Sequence, residues 1–214
     1  MLLLIGVALA LAVGLLARGR LDRLGAQRVA WWWVGLAAFA AQMAALYADW
    51  TPDALDPALI AGSHAALVLV ALINRRLPGA RIVAAGLAMN AAVLLANGGL
   101  MPVAPETLAL AGRFEAWKVG AGTPGSRVAG SKDVVLPTDQ TRLEFLADRY
   151  WTGLPGRLGF VFSLGDAVLA AGVFTFVVST LTTAPGARAR KDPPHVHPAE
   201  LASAHGLVVP AVWD

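Results

Sequence analysis

The sequence predicts an all-α integral membrane protein: a bundle of five transmembrane helices, N-terminus outside and C-terminus inside, with a long outer loop carrying interfacial helices between spans four and five. Three observations predict it. Of 214 residues, 57% are hydrophobic and 14% charged, with a mean hydropathy of +0.62, whereas soluble domains carry roughly one-quarter charged residues. The apolar residues gather into five runs. The basic residues cluster at the ends of these runs, and alternating run directions place all the clusters on one side, as the positive-inside rule requires.

The first run, Met1 to Ala17, is followed by Arg18, Arg20, Arg23 and Arg28. This charge order is the reverse of a secretory signal peptide, so an uncleaved anchor with its N-terminus outside is expected. The second run, Val29 to Ala48, opens with Trp31, Trp32 and Trp33 and closes with Tyr47 and Trp50, an aromatic belt at both interfaces. An acidic connection with Asp49, Asp53 and Asp56 reads as a short outer loop. Runs three and four, Ala58 to Ile73 and Ile82 to Ala96, are joined by an inner loop carrying Arg75, Arg76 and Arg81 around a Pro-Gly turn. The fifth run is Phe160 to Leu181. Behind it stand Arg188, Arg190 and Lys191, the third basic cluster. The resulting organisation is a four-span bundle over 1–96, an extracytoplasmic loop over 97–159, a fifth span over 160–183 and a cytoplasmic tail over 184–214.

Two pieces of the long loop show helical patterning. Pro105-Glu106 suits a first helical turn, after which Leu110, Phe114 and Trp117 share a face. Thr141-x-x-Glu144 matches a capping box, and Leu143, Leu146, Ala147, Tyr150 and Trp151 form an apolar stripe behind it. Both pieces are expected to lie on the outer membrane surface.

The fifth run contains a carboxylate, Asp166. An aspartate in a span costs a few kcal/mol even on lenient insertion scales, so it requires a partner, a cavity or a proton path. Counting residues from the span ends places Gln42, His64, Asn90 and Asp166 at one depth in the outer half of the bundle, with Ser163 as a further donor and Asn97 beside them. These residues form a polar network that either locks helix packing or binds a ligand or proton, and His64 is the favoured partner of Asp166 because the two can share a proton. Small residues mark faces for close approach: Gly6, Ala10 and Gly14 on span one, Ala84, Ala88, Ala92 and Ala96 on span four, and Ser163, Ala167 and Ala171 on span five.

Several functions are excluded or left without support. There is no cysteine, hence no disulfide and no thiolate metal site. The net charge is only +3, and the arginines are accounted for by topology, so no nucleic-acid partner is expected. His195-x-His197 with His205 lacks a rigid scaffold and a second shell, which makes it a weak metal signal. No catalytic motif is present and no cofactor is expected.

Asn97-Gly98-Gly99-Leu100-Met101-Pro102-Val103 follows an apolar span, and Leu146-Ala147-Asp148 precedes Val161-Phe162-Ser163-Leu164-Gly165-Asp166. Together with Gln42 and Asn90, these NGG-x-MPV and FS-x-GD strings resemble an uncharacterised bacterial multi-spanning membrane family, a domain of unknown function. The chain departs from that pattern by a Gly-rich insertion around Gly120 to Ser131 and by Ala147 in place of glycine. The resemblance implies a multi-pass protein of the bacterial cytoplasmic (inner) membrane and no known activity. The expected function is therefore a non-enzymatic accessory or scaffold subunit, with the lipid bilayer and other membrane subunits as partners. The alternative is binding or translocation of a lipid or a quinone-like ligand at the polar network. A membrane enzyme using Asp166 and His64 as acid and base comes third.

Overall fold

The computed structural model describes residues 1–47, 55–112, 124–128, 131–154 and 159–183. The chain divides into two units, Met1–Thr182 and Thr183–Asp214. The second lies outside the described residues except for Thr183, as do Phe114, Trp117, half of the Gly120 to Ser131 insertion, the acidic residues Asp49 and Asp53, the third basic cluster and the tail histidines.

The first unit is mostly helical. Five apolar helices form at the five apolar runs: α1 (Leu2–Leu16), α3 (Trp32–Tyr47), α4 (Asp56–Ile73), α5 (Ala80–Ala96) and α7 (Leu164–Thr182), with a short α2 (Asp22–Ala26) after the first. Two of them, α4 and α7, are long and apolar enough to cross a membrane, and the other three are shorter. Neither α1 nor α3 contains a charged residue.

The helices pack as a row in the order α3, α4, α5, α7, α1, and the two end helices share no substantial contact. The expected helix assembly is thus an open one, in which each helix makes its main contacts with its neighbours in this order. Its consequence is extensive apolar exposure: Leu4, Leu9 and Leu16 on α1, Trp32, Trp33 and Phe39 on α3, and Leu69 and Leu72 on α4 all face outward.

Glycines set the spacing in the middle of the row. A Cβ on Gly86 of α5 would lie 2.5 Å from Leu169 N and 2.7 Å from Gly165 O of α7. One on Gly172 would lie 2.6 Å from Val83 N. With Gly79 against Gly172 and Gly86 against Gly165, the antiparallel pair is in backbone contact at two points seven residues apart, which only small residues permit. The expected alanine stripe on α5 is not this contact, since Ala88 and Ala92 are exposed, as is Ala171 on α7. On α1 the small-residue face is used as expected: Ala10 and Gly14 are buried, Gly6 meets Ala170, and Gly14 meets Leu181.

The described residues between 97 and 163 form a cap over one end of the row, and it is not purely helical. Strand β1 (Met101–Val103) pairs in parallel with β2 (Asp133–Val135), and a short α6 (Pro105–Leu110) lies between them. Strands β3 (Tyr150–Trp151) and β4 (Val161–Phe162) pair antiparallel, with the rings of Tyr150 and Phe162 stacked at 5.7 Å. Val103, Leu108, Val128 and Val135 make a small apolar core within the cap. A second cluster joins the cap to the helices, combining Met101 and Ala147 with Ala45, Ile60, Val93 and Leu94.

The amphipathic helix expected over Thr141 to Trp151 does not form. Thr141 turns its hydroxyl to Pro137 O (3.0 Å), and Leu143 adopts φ 54, a left-handed backbone that ends helical propagation. A single 3₁₀ turn, Glu144–Leu146, follows before the chain extends into β3. Likewise Phe160 to Phe162 do not begin the last helix, because the sheet pairing of β4 claims them and α7 starts only at Leu164.

Replacing Gly86 by Val should therefore force α5 and α7 apart and lower stability by about 1–3 kcal/mol in thermal unfolding of the purified protein. Ala88→Val, on the exposed face of the same helix, should stay within about 0.5 kcal/mol of the parent.

Candidate functional site

Asp166 is an N-terminal capping residue. Ser163 Oγ accepts from Asp166 N–H at 3.0 Å, and Asp166 Oδ2 accepts in return from Ser163 N–H at 3.3 Å. This reciprocal Ser-x-x-Asp arrangement satisfies two donors at the start of α7 and sets a carboxylate against the positive end of the helix dipole. The apolar letters on both sides, Phe160 to Leu164, hide the capping box inside what reads as a continuous span.

Asn90 closes the network from α5. Its Nδ2 donates to Asp166 Oδ1 at 2.7 Å, and its Oδ1 accepts from Ser163 Oγ at 2.9 Å. Ser163 and Asn90 are 0% and 2% exposed. Gly165 makes this possible, since a Cβ there would fall 2.0 Å from Asn90 Oδ1. Burying these polar groups costs little because each is hydrogen-bonded.

The other expected members sit apart. Gln42 Nε2 lies 3.2 Å from His64 Nδ1, which is also 2.9 Å from Ile60 O. His64, the expected partner of Asp166, is thus joined to α3 and to its own helix, and the place beside the carboxylate is filled by Asn90, whose amide can serve Asp166 and Ser163 together. Asn97 follows α5 and clasps the cap: Nδ2 donates to Arg142 O at 2.9 Å, and Oδ1 accepts from Arg142 N–H at 3.0 Å. Gly98 (φ 74) and the bond from Gly99 N–H to Leu94 O at 2.7 Å complete a Schellman stop.

Above this network lies a charged cluster that sequence reasoning missed. Lys132 Nζ is 3.1 Å from Asp148 Oδ2 and 3.9 Å from Asp133 Oδ1. Asp148 is 4% exposed. Burial works to lower the Lys132 pKa, but the carboxylates of Asp148, Asp166 and Asp133 reverse this and hold its ammonium above the ordinary lysine value. Burial drives the Asp148 carboxyl well up despite the opposing pull of Lys132, with Asp133 and Asp166 adding to the rise. A second pair pins the cap to the helix ends: Arg127 binds Asp56 at the start of α4 and donates to Ala45 O. Asp56 reads in sequence as one more acid of an exposed loop, and its partner, 71 positions further along the chain, reaches it only once the cap has folded.

Among the described residues no group of three or more His, Asp or Glu side chains is placed to hold a metal ion. The polar residues join helix to helix and cap to helix, in a mostly helical protein with two helices able by length and composition to cross a membrane. The chain belongs to DUF5317, a family of unknown function whose model matches residues 27–178. Neither the curated proteins nor the solved structures yield a match.

Two substitution series test the network. Asp166→Asn keeps an acceptor for Asn90 but turns an amide toward Ser163 N–H, so a loss near 1 kcal/mol is expected, whereas Asp166→Leu strands both Asn90 and Ser163 and should cost about 1–3 kcal/mol in thermal unfolding.

Lys132→Met leaves Asp148 buried without its cation and should cost about 3 kcal/mol near neutral pH, most of it recovered in the double variant with Asp148→Leu. The sign of the pH dependence follows from burial: without Lys132 nothing opposes the upward push of burial on the Asp148 carboxyl, so the variant's folded state holds a proton between the ordinary carboxylate value and the raised one, and its stability falls as pH rises through that window. The deficit of Lys132→Met should accordingly shrink on acidification, as equilibrium unfolding at several pH values would show.

Proposed function

We propose that this protein is a five-span, multi-pass protein of the bacterial cytoplasmic membrane, N-terminus out and C-terminus in, that serves as a non-enzymatic accessory or scaffold subunit of a larger membrane complex. The observation that carries this reading is the single-layer row. Five apolar helices packed only to their neighbours leave leucine and tryptophan side chains exposed along the row. Such faces are stable against lipid or against another chain's helices. The parallel packing of α1 on α7 and the antiparallel packing of α5 on α7 agree with a five-span alternation. The cap over residues 97–163 then lies outside, and the arginines following α1 and α4 lie inside.

The scaffold reading is favoured over a quinone-like ligand at the polar network because Asn90, Ser163 and Asp166 already engage one another. It is favoured over acid–base catalysis because His64 and Asp166 have separate partners.

Orientation is testable in a chain without native cysteine. A cysteine at exposed Asp139 should react with an impermeant thiol reagent on intact cells, and one at exposed Gly25 only after lysis; the reverse pattern would reject the topology. For the subunit role, a photo-crosslinking residue at Phe39 or Leu9 should trap one protein at fixed stoichiometry, also retained in native mass spectrometry. Recovery of the chain alone with a bound small molecule would instead favour the ligand reading.

A further inference from the structure

An apolar groove of about 220 Å³ runs along one face of the row at the end opposite the cap, walled by Leu67 and Val70 of α4, Val83 and Leu87 of α5, and Val173 and Phe176 of α7. It exists because α5, the middle helix of the three, presents the small Ala80 here and sits close to α7 through its glycines, so its neighbours rise on either side. At its mouth Val29 is shared with a second, open pocket of about 460 Å³ lined by Gln27, Arg28 and Trp32.

One side chain holds the two compartments together. Asn74, at the C-terminal end of α4, accepts from Ala30 N–H at 2.8 Å and donates to Ala30 O at 2.9 Å and to Val70 O at 2.8 Å. This clasp fixes residues 28–30 over the groove, and the chain then turns through Trp31 at φ 58, a conformation a tryptophan adopts only under constraint. Every polar atom of Asn74 is used in the clasp, so the groove itself offers nothing to a polar ligand.

The charge at this end is one-sided. Seven arginines fall between residues 18 and 81, and among the described residues the one acid beside them, Asp22, is paired with Arg20. Arg28, Arg75, Arg76 and Arg81 have no carboxylate within ion-pair distance among the described residues. Basic residues here follow from topology alone; a site is indicated by the junction of an apolar groove with an arginine–tryptophan pocket through one shared wall.

We propose that this junction binds one anionic phospholipid, its phosphodiester at Arg28 beside Trp32 and an acyl chain along the groove. A guanidinium pairs with phosphate oxygens through two parallel hydrogen bonds, an indole ring suits the headgroup level, and the groove takes only hydrocarbon. The proposal rests on the five-span reading but not on the scaffold role.

The test uses the full chain in detergent micelles with an equimolar mixture of dioleoylphosphatidylglycerol and dioleoylphosphatidylcholine, read by native mass spectrometry. The parent should retain phosphatidylglycerol over phosphatidylcholine by about tenfold, and Arg28→Gln should reduce that preference about fivefold, the weight of one arginine near an anionic surface. Val70→Trp, which fills the groove from a partly exposed position, should lower retention of both lipids. Equal retention of the two lipids by the parent, or a preference unchanged in Arg28→Gln, would overturn the proposal while leaving the spans intact. Recovery of the chain from the aqueous phase without detergent would overturn the five-span reading, and this site with it.

Discussion

The contact between α5 and α7 is the constraint on which the rest of this structure depends. Glycines at 79, 86, 165 and 172 bring the two backbones together, and only at that distance can the Asn90 amide reach both Ser163 and Asp166. The same three residues start α7, since the capping box and the interhelix bonds share their atoms. Packing and capping are therefore one event: a side chain large enough to separate the helices would also remove the amide that steadies the cap of α7. From this pair α4 and α3 extend to one side and α1 to the other, and the outer cap sits on the helix ends.

Two asparagines do corresponding work at opposite ends of the row. Asn74 ends α4 and grips the backbone N–H and C=O of Ala30; Asn97 ends α5 and grips those of Arg142. In each case the amide offers one donor and one acceptor to the backbone of a single residue more than 40 positions away in sequence. A carboxylate could not donate and a lysine could not accept, so the residue type is dictated by the need to serve both. Each clasp also satisfies groups at a helix terminus that would otherwise need water.

Much of the helical framework was legible because apolar runs of 15 to 22 residues are a local signal, and all five became helices. The small-residue face on α1 was legible for the same reason. What was hidden depended on partners distant in sequence. Strands of two or three residues, such as Val161–Phe162, carry no periodicity of their own and blend into a neighbouring apolar run. The acid at Asp166 announced itself, but its partner did not: histidine attracted attention by its chemistry, while Asn90 was chosen by geometry, being the only one of the three candidates on the helix that glycines hold against α7. Lys132, Asp148 and Asp56 looked like ordinary loop charges until the cap folded them into pairs. Matching the alanine stripe on α5 to a helix interface failed because the tighter glycine spacing, seven residues rather than four, was the one used.

A row held only by neighbour contacts behaves thermodynamically like a zipper. Its end element α1 meets the rest through α7 and the short α2, so detaching it disturbs one interface and leaves the capped α3, α4, α5 and α7 assembly with all its polar clasps closed. Opening free energies should then rise from the α1 edge toward the α5–α7 seam, an ordering that amide hydrogen exchange resolves helix by helix. The exposed edge is also where a neighbouring chain could take the place of α1 against Ala170 and Leu181 without any change elsewhere in the fold.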